Sequence, residues 1–194
     1  EPMLNPCLPK VIEYLEENYH NQFGKISYAS NGTVTPSEEL LMIMQKYGIH
    51  IVVSDYTSAI GYSEKISKVK KLFDKYKIQY DIKPSIEWCD FGFPEQPVRR
   101  NKEELERHLQ ACRPEWIGLN DGKFYYCNVS WSAERSGHFK LSGNDYIELA
   151  EINPEDKEAC HRISELSRGT SLFCNVCGGC GKDNNHYVVT GVQV

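Results

Sequence analysis

An α/β fold in two parts is what this sequence predicts, and three observations carry the reading. Residues 4 to 88 alternate amphipathic helices with short apolar strands, the pattern of a parallel sheet with crossover helices. After about residue 92 that alternation stops, and a strong hairpin signal at Asn120-Asp121-Gly122 takes over. Three of the eight cysteines then crowd into one short glycine-rich stretch, at Cys174, Cys177 and Cys180. The expected division is residues 1–100 for the parallel α/β part and 101–194 for the smaller cysteine-bearing part.

Each element has its own signal. "PCLPKVIEYLEENYHNQFG" sets Leu8, Val11, Ile12 and Leu15 on one helical face. "GKISYASNG" reads as a short strand closed by the Asn31-Gly32 turn. A second helix is expected with Thr35 as N-cap, Pro36 at the first position, Glu38 closing a capping box and Gly48 as the stop. The apolar run Ile49 to Val53 suits a strand buried on both faces. A third helix carries Ile66, Val69, Leu72, Phe73 and Tyr76 on one side, and "IQYDIKPSIEW" is a strand bent or ended at Pro84. Ligand chemistry in such sheets sits beyond the carboxyl ends of the strands, here Ser30-Asn31, Ser54-Asp55 and Glu87-Trp88. Later come a helix in "NKEELERHLQAC", the hairpin "WIGLNDGKFYYC", a helix from Asn153-Pro154-Glu155-Asp156 to Gly169, and a last strand in "HYVVTGVQV".

Composition narrows the function classes. A formal net charge of -5 argues against a nucleic-acid surface, which needs clustered Lys and Arg. The basic stretch "SKVKKLFDKYK" reads as the solvated face of the third helix. No apolar run has the length of a membrane span and no signal peptide opens the sequence, so the expected location is cytoplasmic. In that compartment eight cysteines read as metal or redox chemistry before disulfides.

The candidate metal ligands are Cys112, Cys127, Cys174, Cys177 and Cys180. Two sit at the root and end of the hairpin. Three lie in a knuckle where Gly178, Gly179 and Gly181 let backbone amides approach sulfur. A pair of thiolates with two residues between them, joined by thiolates from a distant segment, can complete a four-sulfur shell. Such a shell suits zinc or an iron–sulfur cluster, and spacing alone does not choose between them. A dithiol redox motif normally sits at a helix N-terminus, whereas "CGGC" leads into the polar loop "GKDNNHY". Cys7, Cys89 and Cys160 read as packing residues.

These residues resemble a known family. "CRPEWIGLNDGKFYYC" has nine residues between Cys112 and Gly122 and four between Gly122 and Cys127. That is similar to the opening of the auxiliary-cluster domain of radical S-adenosylmethionine (SAM) enzymes, the SPASM domain, and of its shortened form, the twitch domain. A gap of 46 residues precedes a single CxxCxxC rather than a longer cysteine series, which resembles the twitch type. The resemblance implies one auxiliary 4Fe-4S cluster held by Cys112, Cys127, Cys174 and Cys177, with Cys180 the extra candidate. "EPMLNPCLPKVIEYLEEN" resembles the stretch after the two glycines of the family's "GGEP" motif, with Glu1 its glutamate. "SYASNGTV" and "VVSDYT" resemble the third and fourth strand tips of a partial (β/α)6, TIM barrel-like radical-SAM barrel. Glu1, Asn31 and Ser54 are then the implied SAM contacts.

The family's radical-generating CxxxCxxC is absent from these 194 residues. The expectation is therefore a carboxyl-terminal portion of a radical SAM enzyme that does not form the 5′-deoxyadenosyl radical by itself. The substrate class implied is a peptide or small molecule, and the overall acidity disfavours a strongly anionic one. The alternative is a zinc-holding structural or partner-binding module; a relative that kept the scaffold and lost the chemistry is a third. A sheet lacking its first strands also exposes an edge, from which self-association is expected.

Overall fold

A computed structural model describes residues 1–59, 61–112, 117–143, 145–168 and 171–190, with side chains left aside at 167 and 168. It is a mixed α/β chain of two compact units. The first is Glu1–Trp88, to which Val189 and Thr190 return, and the second is Cys89–Val188. Strands β4 (Glu87–Cys89) and β8 (Tyr187–Val189) lie where the chain passes between them.

The first unit is a parallel three-stranded sheet in the order β1 (Ser27–Ser30), β2 (His50–Asp55), β3 (Gln79–Pro84). Helices α2 (Glu38–Tyr47) and α3 (Ser63–Tyr76) make the crossovers, and α1 (Leu8–Tyr19) precedes β1. Leu40, Leu41, Met44, Ile51, Val53, Ile66, Val69 and Phe73 form its core with Ile12 of α1. The α3 stripe is as the spacing predicts, Leu72 and Tyr76 packing at its margin and the lysines facing out.

The structure departs from expectation at four points in this unit. Val11 of α1 is 45% exposed, because the buried stripe runs through Pro9 and Ile12 instead. The N-cap of α2 is Ser37, not Thr35: its extended backbone turns its side chain to accept from the Leu40 N–H, so Pro36 falls outside the helix. Strand β2 alternates, with Ile51 and Val53 buried and His50 and Val52 only partly so, and is not buried on both faces. The third strand ends at Pro84 as expected, but Glu87-Trp88, expected at its tip, lies in the separate strand β4.

The second unit carries an antiparallel meander, β5 (Gly118–Asn120), β6 (Lys123–Tyr125) and β7 (Tyr146–Glu148). The β5–β6 turn is built on Asp121 (φ 51°) and Gly122 (φ 74°). Positive φ at both central residues matches the right-handed twist of the strands, which is why Asp-Gly marks this turn. Three helices complete the unit: α4 (Lys102–Ala111), α5 (Asn128–Arg135) and α6 (Lys157–Arg168). The expected stop of α6 at Gly169 lies outside the described residues. Strand β7 and helix α5 have no counterpart in the sequence reading.

Two apolar clusters back this unit. One gathers Tyr125, Leu141, Phe173 and Cys177, with Phe93, Phe139 and Phe173 meeting edge to face. The other joins Tyr126, Ile147 and Leu166 with Cys127 and Cys174 at its margin. Asp145, 1% exposed, holds the ends of this construction. It accepts from the Leu172 N–H at 2.7 Å and from the Ser142 N–H at 2.8 Å. Burial pushes its carboxyl up, but these donors and the Ser142 and Ser171 hydroxyls outweigh that and hold it below the ordinary carboxylate range. A depressed folded pKa contributes stability above the unfolded value of about 3.9, lost as pH falls through the folded one. Asp145→Asn is expected to cost about 2 kcal/mol at neutral pH, from donors left unmatched. Urea unfolding should show that gap closing below about pH 4.

Candidate functional site

Two groupings of the predicted residues occur, one in each unit. In the first, Glu1 reaches the carboxyl tip of β1. Its Oε2 accepts from the Ser30 hydroxyl at 3.0 Å and the Asn31 N–H at 2.8 Å, while Oε1 accepts from the Met3 N–H. Burial and the Glu1 carboxylate together push the neighbouring Tyr28 phenol well up.

Ser54 joins the same tip through Tyr62, which sequence reasoning missed. The Tyr62 hydroxyl accepts from the Tyr56 N–H at 2.8 Å and donates to the Asn31 carbonyl at 3.0 Å, with the Ser54 carbonyl at 3.4 Å. Thus one buried phenol ties the ends of β1 and β2. Tyr62→Phe is expected to cost about 1–2 kcal/mol in the first unit, measured by urea unfolding, because a buried amide loses its acceptor.

In the second unit the five predicted cysteines stand on three segments, with Cys174, Cys177 and Cys180 each in electrostatic reach of Cys112 and Cys127. Cys112 caps the C-terminus of α4, and its Sγ stands 3.9 Å from that of Cys180. Cys127 caps the N-terminus of α5 and accepts from the Val129 N–H at 3.3 Å. Cys174 lies in the 3-10 turn Leu172–Asn175. Cys177, 6% exposed, accepts from the Gly179 N–H at 3.3 Å. The expectation that glycine amides approach sulfur in the knuckle holds at that contact.

The thiols sense one another. Burial pushes Cys174 up to about 11, and the charges of Cys127 and Cys112 add to it. Burial likewise takes Cys177 to about 12, with Cys127, Cys112 and Cys174 adding. Cys180 reaches about 12 through burial and Cys112, and Cys127 is raised by burial and by Cys112. The Tyr126 phenol, pushed up by burial, also feels Cys174, Cys112 and Cys127. Cys112 is the exception: burial raises it, but hydrogen bonds from His108 and Cys180 bring it below the ordinary thiol range. A set of partly buried thiols that oppose each other's ionisation is what a bound thiophilic cation relieves.

Two residues that sequence reasoning missed hold this arrangement. Arg100 donates to the carbonyls of Cys174 at 2.9 Å and Cys177 at 2.7 Å, and reaches that of Gly178 at 3.5 Å. His108, 3% exposed, pairs through Nδ1 with Asp183 at 2.6 Å. Arg100 comes after a proline-containing connection and His108 sits in the last turn of α4; neither position has a sequence signal for its distant partners. Cys89, read as packing, is half-buried and lies in electrostatic reach of Cys180. Cys7 and Cys160, read the same way, are exposed instead.

The donor chemistry, thiols with amides on the sulfurs of Cys127 and Cys177, is of the kind that a thiophilic metal or cluster takes. Among the described residues, no group of three or more His, Cys, Asp or Glu is already set to hold a metal ion. No helix among them is long and apolar enough to cross a membrane. No protein-family model and no curated protein matches this chain.

Proposed function

We propose that this chain is the later portion of a radical SAM enzyme, its second unit a twitch-type domain that holds one auxiliary 4Fe-4S cluster. The observation that supports this is that Cys174 and Cys177 each lie in electrostatic reach of Cys112 and Cys127, with Cys180 against Cys112, inside one unit whose hairpin has the family's spacing. The first unit is then part of the (β/α)6 barrel, in which Glu1, Asn31 and Ser54 would face SAM at the strand tips. Such a cluster supplies an electron-transfer centre or orients substrate when bound. The protein's own part is to keep water out, with Tyr126 and Phe173 buried behind the thiols, and to direct amides at Cys127 and Cys177. These residues contain no CxxxCxxC and so do not hold the radical-generating cluster. The substrate is a peptide or small molecule modified by hydrogen abstraction, in the cytoplasm.

One distance bears on which thiols would serve the cluster. Two sulfurs 3.9 Å apart are too close for separate irons of a cubane. Cys112 and Cys180 therefore cannot both serve it as they stand, and Cys180 is the one outside the family's spacing. Anaerobic reconstitution with visible absorption, then electron paramagnetic resonance after reduction, tests this. A reducible iron–sulfur spectrum supports the reading, and a colourless protein opposes it.

A second reading has its own support. Zinc–thiolate bonds of about 2.3 Å in a tetrahedron place sulfurs about 3.8 Å apart, close to the Cys112–Cys180 separation. That edge would belong to a structural zinc in a module without radical chemistry. Strands β1 and β3 each pair only with β2 among the described residues, and we propose that one of these edges takes a strand of another chain. A monomer by sedimentation at high concentration would contradict that.

A further inference from the structure

The second unit has a cleft of about 470 Å³ beside the knuckle, and its walls carry Arg99, Arg100, Glu104, Arg107, His108 and Asp183. We propose that this cleft binds the oxyanion, carboxylate or phosphate, of a small organic molecule that also carries hydroxyl or amine donors.

Charge and hydrogen bonding both point this way. Three guanidinium groups face two carboxylates. Both carboxylates are already engaged: Glu104 accepts from the Asn101 N–H in the capping box of α4, and Asp183 is bonded to His108. No acidic partner is within ion-pair distance of Arg99 or Arg107 among the described residues. Arg100 is half-buried and fixed by the carbonyls of Cys174 and Cys177, so one guanidinium is held in place before any ligand arrives. Planar guanidinium groups match the two oxygens of a carboxylate or phosphate, and a preset one lowers the ordering cost of binding.

The cleft is the size of a small-molecule site and far larger than a bare ion. The spare acceptor oxygens of Glu104 and Asp183 would exclude a ligand that is anionic throughout and accept hydroxyl or ammonium groups. The chain's overall charge of -5 does not argue against this, since the local balance in the cleft is positive. Arg100 and His108 touch both cleft and thiol knuckle, so a ligand here would lie against the cysteine site. The cleft residues alone support the binding site, whether the thiols take iron, zinc or neither.

The test is calorimetric titration of the 194-residue chain at low ionic strength, with glucose 6-phosphate and glutamate as separate probes. Saturable binding of at least one is expected, weakened about tenfold or more in the exposed pair Arg99→Gln/Arg107→Gln. Arg162→Gln, which lies outside the cleft, should bind as the parent does, and matched melting curves would show that the pair variant folds. Binding of the phosphate alone or of the glutamate alone supports the oxyanion site and identifies its source. No saturable binding of either probe, or equal binding by the pair variant, overturns it. Metal content enters none of these readouts, so they are independent of the cluster reading.

Discussion

Arg100→Met is expected to be the most damaging single substitution in the second unit. The guanidinium satisfies the carbonyls of Cys174 and Cys177, in a stretch of backbone that no strand or long helix serves. Methionine keeps most of the stem's packing but strands those acceptors beside buried sulfur. An unsatisfied buried carbonyl costs about 1–3 kcal/mol, so the pair should cost about 3–5 kcal/mol. The knuckle would open before the core, because Phe173 remains anchored by its apolar cluster. Thermal unfolding measures the loss, and faster alkylation of Cys174 and Cys177 in the native protein would locate it. An unchanged melting temperature would show that water replaces the guanidinium at no cost.

Gly181→Ala should come close to it. A methyl group there would lie 2.5 Å from the Ala111 carbonyl oxygen and 2.6 Å from the Cys112 nitrogen. Both are backbone atoms, so no side chain can turn aside. Either α4 shifts at its C-terminus or the knuckle does, and each movement separates Cys112 from Cys180. Overpacking of this kind costs about 1–3 kcal/mol, and a clash with main chain belongs at the upper end. Gly143→Ala is the control, since nothing lies within 4 Å of the added methyl. Comparable stability of the two variants in urea would contradict the close approach.

Much of the first unit was legible because its signals are local. Ile66, Val69 and Phe73 recur at helical spacing, Gly48 ends α2, and the short apolar runs are strands. Errors came where neighbours of similar propensity compete. Thr35 and Ser37 both cap well, and it is Ser37 whose extended backbone lets its side chain accept from the Leu40 N–H. Val11 and Pro9 sit on adjacent faces, and packing against α2 decides which is buried.

The cysteine grouping was legible in kind but not in detail. Asp-Gly fixes the hairpin that carries Cys127, and the CxxCxxC spacing announces a knuckle. Long-range contacts position them: Arg100 lies 74 residues from Cys174, and Asp145 lies 27 residues from Leu172. A lone Arg or Asp in sequence has no periodicity to read, and its role exists only once the chain has folded. Tyr62 is the same case in the first unit, a residue that counts as core by composition and turns out to tie two strand tips.

The auxiliary-cluster reading is tested most directly by iron, sulfide and zinc content after anaerobic reconstitution of the chain and of Cys127→Ala and Cys180→Ala. About four irons and four sulfides per chain are expected, lost in Cys127→Ala and kept in Cys180→Ala. Stoichiometric zinc without sulfide, or iron that is indifferent to Cys127, would contradict it.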